Sequence, residues 1–482
     1  MRPHSTRLFI LILTICLALS ACQGGSSAST TPEATPGPTA TATPEPRLLT
    51  ICLGQEPSSL YMYGNSSRSM WSVLEALYDG PIDYRNFTAQ PVILNSIPSL
   101  DNGGAVLQPV EVQSGEIVAN IDGNAVALAE GVTVFPSGCT DQSCAITWDG
   151  VTPLTLDQMV ATYTLQPGIN WSDGTPLTAA DSVYSFQVSA DPDTPVTKTA
   201  IQRTASYTAI DDLTIQWTGI PGYLTTSLGD YYWVPLPQHQ LSSLTAADLL
   251  TSALTTQTPL GWGPYVIDEW TTGDHIRMVK NPAYFRAGEG LPYFDTLVFR
   301  FLGEQSDTNL AALLAGECDI VDQYSYLEDQ PQTVRDLELN GDILVYRGLG
   351  PGWETLDFGI VPAAYDDGFN PFGVDRANIF GDVRTRQAFA YCLDRADMVT
   401  RLYNNLTQVA NGYLPPSHPL YLSDLAAWPY DAEAGATLLE QIGWRDFDND
   451  PATPRVAAGI SGVPDGTLLS VTLTTSTAQL RQ

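Results

Sequence analysis

Positive charge is scarce in this chain: 482 residues carry 21 Lys and Arg against 53 Asp and Glu, a formal net charge of −32. Nucleic acids and anionic bilayers are bound through basic footprints, so charge excludes both as partners of the folded body. Histidine is scarcer still. Of four, only His239, His275 and His418 lie beyond the N-terminal segment, none in an HExxH pattern or beside a recognisable nucleophile. No GxSxG elbow occurs. Gly348, Gly350 and Gly352 follow an apolar run at 343–346, but Pro351 intervenes and no helical pattern follows, so the dinucleotide fingerprint is missing. Asp446, Asp448 and Asp450 alternate as in a calcium loop, yet Pro451 takes the place of the turn glycine and no acid closes the loop. Neither a resident metal nor a cofactor is expected. No apolar run after Leu19 is long enough to cross a bilayer.

What the N-terminus does hold is an export signal. Arg2 and Arg7 introduce an apolar run at 8–19, short for a membrane span. It ends in Leu19-Ser20-Ala21-Cys22, which resembles the lipobox of bacterial lipoproteins. Residues 1–22 therefore read as a lipoprotein signal peptide, cut before Cys22, whose thiol would carry lipid and hold the protein to a membrane without a spanning helix. Residues 23–46 are mostly Ser, Thr, Ala and Pro, cannot bury a core, and read as a disordered linker. Cys139 and Cys144, in the loop GCTDQSC, are expected to close a short disulfide outside the cell, since no further ligands complete a metal site. Cys52, Cys318 and Cys392 lie in apolar contexts and are expected to be buried thiols.

The body alternates strand and helix patterns irregularly. Strands are expected at 48–53, 213–217, 265–270, 275–280 and 296–301, with short ones at 116–121, 125–128, 132–135, 145–148 and 161–165. Helices are expected at 69–78, 307–314 and 382–392, from Asp394 onward with Asp397 at capping-box spacing, and at 431–442 before Gly443. Residues 466–475 alternate as a half-buried strand. The stretch NWSDGTPLTAADSVYSF, 170–186, is specified heavily. Asp173-Gly174 is a turn pair, Pro176 holds its predecessor extended, Thr178 caps a helix with Asp181 three residues on, and Val183 and Phe186 share a face. It holds no plausible nucleophile, so it is built for shape.

Five blocks in order resemble the peptide-binding (oligopeptide and dipeptide, family 5) type of extracytoplasmic solute-binding proteins of ATP-driven (ABC) importers. They are Glu56-Pro57-Ser58-Ser59-Leu60 with Leu74-Glu75-Ala76-Leu77; the 170–186 stretch; Gly261-Trp262-Gly263-Pro264-Tyr265 running on to Lys280-Asn281-Pro282-Ala283-Tyr284; the run 313–320, LLAGECDI; and Asp382-Val383-Arg384-Thr385-Arg386-Gln387-Ala388 with Leu393-Asp394-Arg395. The chain departs from the pattern at Tyr61, where the family usually has Asp, at Gly359, where Asn is common, and in an insertion at 373–381.

The resemblance implies an α/β, two-lobed, periplasmic-binding-protein-like fold of type II. The first lobe would span 47–300, with an extra β-rich subdomain at about 85–185, and the second 301–482, C-terminally incomplete. It implies no catalysis: a monomer, outside the cytoplasm on a lipid anchor, would close two hinged lobes on a peptide or a related small solute and hand it to a membrane permease. Other members take nickel, haem or oligosaccharides. By position Tyr63, Gly64, Asn65 and Ser66 would run beside the ligand, with Trp262 and Tyr265 as further candidates. A surface hydrolase or glycan-processing lipoprotein is the alternative. It needs two placed carboxyls, whereas Asp211-Asp212 and Asp366-Asp367 read as loop acids.

Overall fold

The structure, a computed structural model, describes residues 46–64, 66–303, 306–322, 325, 327, 330–350, 352–358, 377–471 and 473. Cys22 with its signal segment, the linker to residue 45, Asn65 and Gly359 lie outside the described residues. So do Asp366, Asp367 and residues 373–376 of the 373–381 stretch.

Strand β1 (Leu48–Leu53) leads through a loop to helix α1 (Arg68–Leu77). Met70, Val73, Leu74 and Leu77 are buried at helical spacing, which is why this segment coils. A two-residue hairpin follows, β2 (Ile82–Arg85) and β3 (Thr88–Pro91). The chain then builds a second sheet from β4 (Ala105–Val112) and the eleven-residue β5 (Leu154–Thr164). After helix α2 (Ala179–Ala190) it adds β6 (Thr204–Ala209) and β7 (Thr214–Gly219). This antiparallel sheet has the order β6-β7-β5-β4, so the β-rich part draws strands from beyond residue 185. Between β4 and β5, two small hairpins cover a satellite core of Val118, Leu128, Val134, Trp148 and Leu156.

The chain then returns to the first sheet with β8 (Tyr265–Thr271), β9 (His275–Lys280) and β10 (Thr296–Phe301), followed by helix α3 (Ser306–Leu314) and the short β11 (Ile320–Val321). The order is β8-β9-β10-β1-β11. β1 is parallel to both neighbours, Leu48 opposite Thr296 on one side and Cys52 opposite Val321 on the other.

The 170–186 corner joins the two sheets. Trp171 is fully buried, its ring 5.4 Å from that of Trp262, and the Ser172 N–H donates to the Gly261 carbonyl at 2.8 Å. Thr178 and Asp181 form the capping box, and Gly174 takes φ +88° in the turn. Asp181 does more than cap. Its buried carboxylate accepts from Thr178 N (2.9 Å), Gln238 N (3.0 Å) and Trp171 Nε1 (3.3 Å). Asp181→Ala leaves these donors without an acceptor and is expected to cost about 3 kcal/mol, read from urea unfolding midpoints.

Beyond β11 come helices α4 (Pro331–Asn340), α5 (Val383–Cys392), α6 (Arg395–Leu402) and α7 (Ala432–Ile442), then the two-residue strands β12 (Trp444–Arg445) and β13 (Val456–Ala457). Asp382, Asp394 and Asp431 cap their helices as the spacing predicts. α5 and α7 share a small core with Ala388, Leu439, Ile442 and Trp444. The strand expected at 466–475 does not form over its described part. Leu468 makes one bridge to Val456, and Val471 and Leu473 are exposed. Alternation marks a face but supplies no partner for the backbone N–H and C=O groups, and β13 is only two residues long.

The cysteine reading needs two corrections. Cys52 and Cys318 are a disulfide, not buried thiols, with Cα atoms 5.8 Å apart across 266 residues of chain. It forms because β11 lies beside β1. Cys392 is exposed, because it is the last residue of α5, one turn beyond the buried Ala388. Cys139 and Cys144 are disulfide-bonded, with Cα atoms 5.7 Å apart.

Candidate ligand-binding site

Open α/β sheets hold ligands outside the carboxyl ends of their parallel strands. Here those ends are Leu53, Phe301 and Val321. They are stitched together just beyond the sheet: Leu302 N donates to Leu53 O at 3.0 Å, and Asp322 N to Cys52 O at 2.9 Å. The loop leaving β1 is pinned along its length. Glu56 accepts from Trp270 Nε1 (2.8 Å) and Gly273 N (3.0 Å), both at the β8–β9 hairpin. Leu60 N donates to Thr256 O at 2.8 Å. Tyr63 donates its hydroxyl to Val234 O at 2.8 Å, and burial pushes that phenol well above its usual range. Gly64 N closes a turn on Tyr61 O at 3.0 Å. A Cβ at Gly64 would come 2.8 Å from the Tyr61 ring, so the turn has no room for a side chain there.

The loop then enters α1 at Ser67, whose side chain accepts from Met70 N at 3.1 Å. Ser66 is exposed and its Oγ accepts from Trp71 Nε1 at 3.0 Å. The bond sets an indole that is 44% exposed at the edge of the strand ends. Ser72 donates to Asp322 Oδ2 at 2.9 Å, drawing the segment after β11 against α1. One turn on, the Glu75 carboxyl is raised by partial burial and then by the charges of Asp83 and Asp322. Glu75 thus feels the negative charge of Asp83 and Asp322 together.

Tyr63 is anchored on Val234 O, Gly64 lies beside Tyr61 and Leu250, and Ser66 stands at the entry to α1. Trp262 and Tyr265 lie elsewhere. Trp262 is fully buried, donates from Nε1 to Asp79 O at 2.9 Å and packs on Tyr78 with ring centres 4.7 Å apart. Tyr265 is buried with its hydroxyl on Phe294 O at 3.1 Å. Both rings are structural, because the glycine-flanked turn that carries them is pressed onto the end of α1. Trp71 was not singled out from the sequence. The available signal was a large aromatic on the outward face of an otherwise well-patterned helix.

A separate concavity of about 520 Å³ lies between α5 and α7, lined by Gln387, Tyr391, Trp428, Asp431, Thr437 and Gln441. It is an open furrow between two helix faces. The Asp446, Asp448 and Asp450 carboxylates accept from backbone N–H groups of their own turn. Among the described residues no group of three His, Cys, Asp or Glu is placed to hold a metal ion, and no helix is long and apolar enough to cross a membrane.

These features define a two-lobed α/β solute-binding fold. Residues 154–481 match the family described as bacterial extracellular solute-binding proteins, family 5, middle region, and the chain belongs to that family. Among relatives, the oligopeptide-binding protein AppA of Bacillus subtilis is 24% identical over 299 residues, covering 59% of this chain and 49% of its own length. The chain thus spans about half the length of the curated relatives it matches. The solved AppA structure, in complex with a nonapeptide, superposes with a TM-score of 0.53 at 18% identity, covering 86% of this chain and 68% of that one. An ABC transporter substrate-binding protein of Listeria monocytogenes, CtaP, gives 0.54 at 17% identity, covering 82% and 64%. At such identities the structural likeness concerns the fold.

Proposed function

We propose that this protein is the substrate-binding component of an ABC importer, capturing peptides between two hinged lobes and delivering them to a membrane permease. The observation that carries the reading is the family match over 154–481. The oligopeptide-binding names of relatives support the ligand class. The strand-end rim supports it too: a tight glycine turn for main-chain approach, an exposed indole, and acids suited to an amino terminus. The first lobe is the body built on the two sheets. The second begins where the chain leaves β10 and β11, and closure is a hinge motion there. Cys22 carries the lipid anchor and residues 23–46 the tether, placing a monomer outside the cytoplasm, where two disulfides persist.

The test is a thermal-shift screen against a peptide pool and a sugar panel. Peptides are expected to raise the melting temperature by mass action, with no turnover of any of them. Stabilisation by sugars alone would overturn the peptide assignment. Trp71→Ala should weaken the best peptide about tenfold, as loss of an aromatic anchor does, with the unliganded melting temperature unchanged because the ring is exposed.

A further inference from the structure

We infer that the β2–β3 hairpin is a strap that ties the first body to the 415–421 turn and restrains opening of the cleft. This rests on the two-lobed binding reading above. The hairpin turns on two residues, Asn86 (φ +50°) and Phe87 (φ +62°), with Arg85 opposite Thr88. That is the primed two-residue turn in which Asn-Gly is favoured. A bulky aromatic in the left-handed region is an outlier, and such strain is kept where the side chain has other work.

Here the Phe87 ring packs on the imidazole of His418, with ring centres 4.9 Å apart. His418 is held to receive it: its N–H donates to Pro415 O at 2.9 Å, its carbonyl accepts from Tyr421 N at 3.0 Å, and Nδ1 accepts from Leu420 N at 3.0 Å. The other end of the strap is anchored in the first body. Asp79, just before the hairpin, takes hydrogen bonds from Tyr284 Oη (2.5 Å) and Arg286 Nη1 (3.3 Å) on its carboxylate, and from Trp262 Nε1 (2.9 Å) on its carbonyl. A firmly rooted arm therefore carries one strained aromatic onto a residue far along the chain, in the part that follows α6.

Hydrogen exchange on the full chain without ligand tests this, reading each variant on the opposite side of the contact. Phe87→Asn keeps the left-handed turn and removes the ring. Exchange across 415–421 should rise roughly two- to tenfold, the range that an aromatic pair contributes, with 82–91 unchanged. His418→Ala should raise exchange at 85–88 by a similar factor, while His418→Phe should restore protection. Variants that loosen only their own side of the contact would overturn the strap. Because no ligand is used, failure of the peptide assignment and failure of the strap are read separately.

Discussion

Replacing Cys52 and Cys318 by Ala is expected to lower stability by about 5 kcal/mol, whereas removing Cys139 and Cys144 should cost only about 2 kcal/mol. The contrast follows from loop length. A cross-link stabilises mainly by restricting the unfolded chain, and its effect grows with the logarithm of the residues it closes. One bridge spans 266 residues and the other 5. The long bridge also holds β11 against β1, a pairing only two residues deep, so its loss frees the strand end that carries Asp322. Denaturant unfolding of the two double variants checks this. Equal losses would mean that the folded state, not the unfolded chain, sets the effect. Ser72 offers a second readout: exchange at the first turns of α1 should rise only in the Cys52/Cys318 variant, because the Ser72–Asp322 bond depends on where β11 ends.

The second large effect is expected at Gly263. Its N–H donates to the Leu77 carbonyl at 2.7 Å, and a Cβ there would lie 2.5 Å from both the carbon and the oxygen of that carbonyl. At Gly261 the clash is closer still, with the same oxygen. These obstacles are backbone at the end of a buried helix and cannot swing aside. Gly263→Ala should cost about 4 kcal/mol or more, in the upper tail of single substitutions, and lower the melting temperature accordingly. Gly288→Ala is the control, since nothing lies within 4 Å of its added carbon. A mild effect at Gly263 would show that α1 can shift, and the strand-end site with it.

Much of the scaffold was legible because its signals are local. The strands at 275–280 and 296–301 match their observed bounds, and the capped helix starts at Asp382, Asp394 and Asp431 stand where the spacing places them. β4 was missed because its run, AVLQPVEV, contains a proline and little clean alternation; it forms on the long β5. The Cys52–Cys318 bond was hidden for another reason, since it depends on two strands far apart in the sequence meeting side by side. For the candidate site the sequence offers only position in the family pattern, which points to Tyr63, Gly64 and Ser66; Trp71 enters only through the Ser66 bond that turns its ring. Trp262 and Tyr265 carry family-like surroundings but point inward, and no sequence signal separates an aromatic that braces a turn from one that greets a ligand.

The placement of β1 has a consequence for how the chain is made. It leaves the ribosome early, yet Leu48 must wait for Thr296 and Cys52 for Val321 before either edge is covered. Such distant pairings form slowly, because a long stretch must be closed before any contact rewards it. The first sheet therefore stays open until Val321 has been made, whereas every strand of the second is in hand by Gly219, so the two sheets mature at different moments of synthesis.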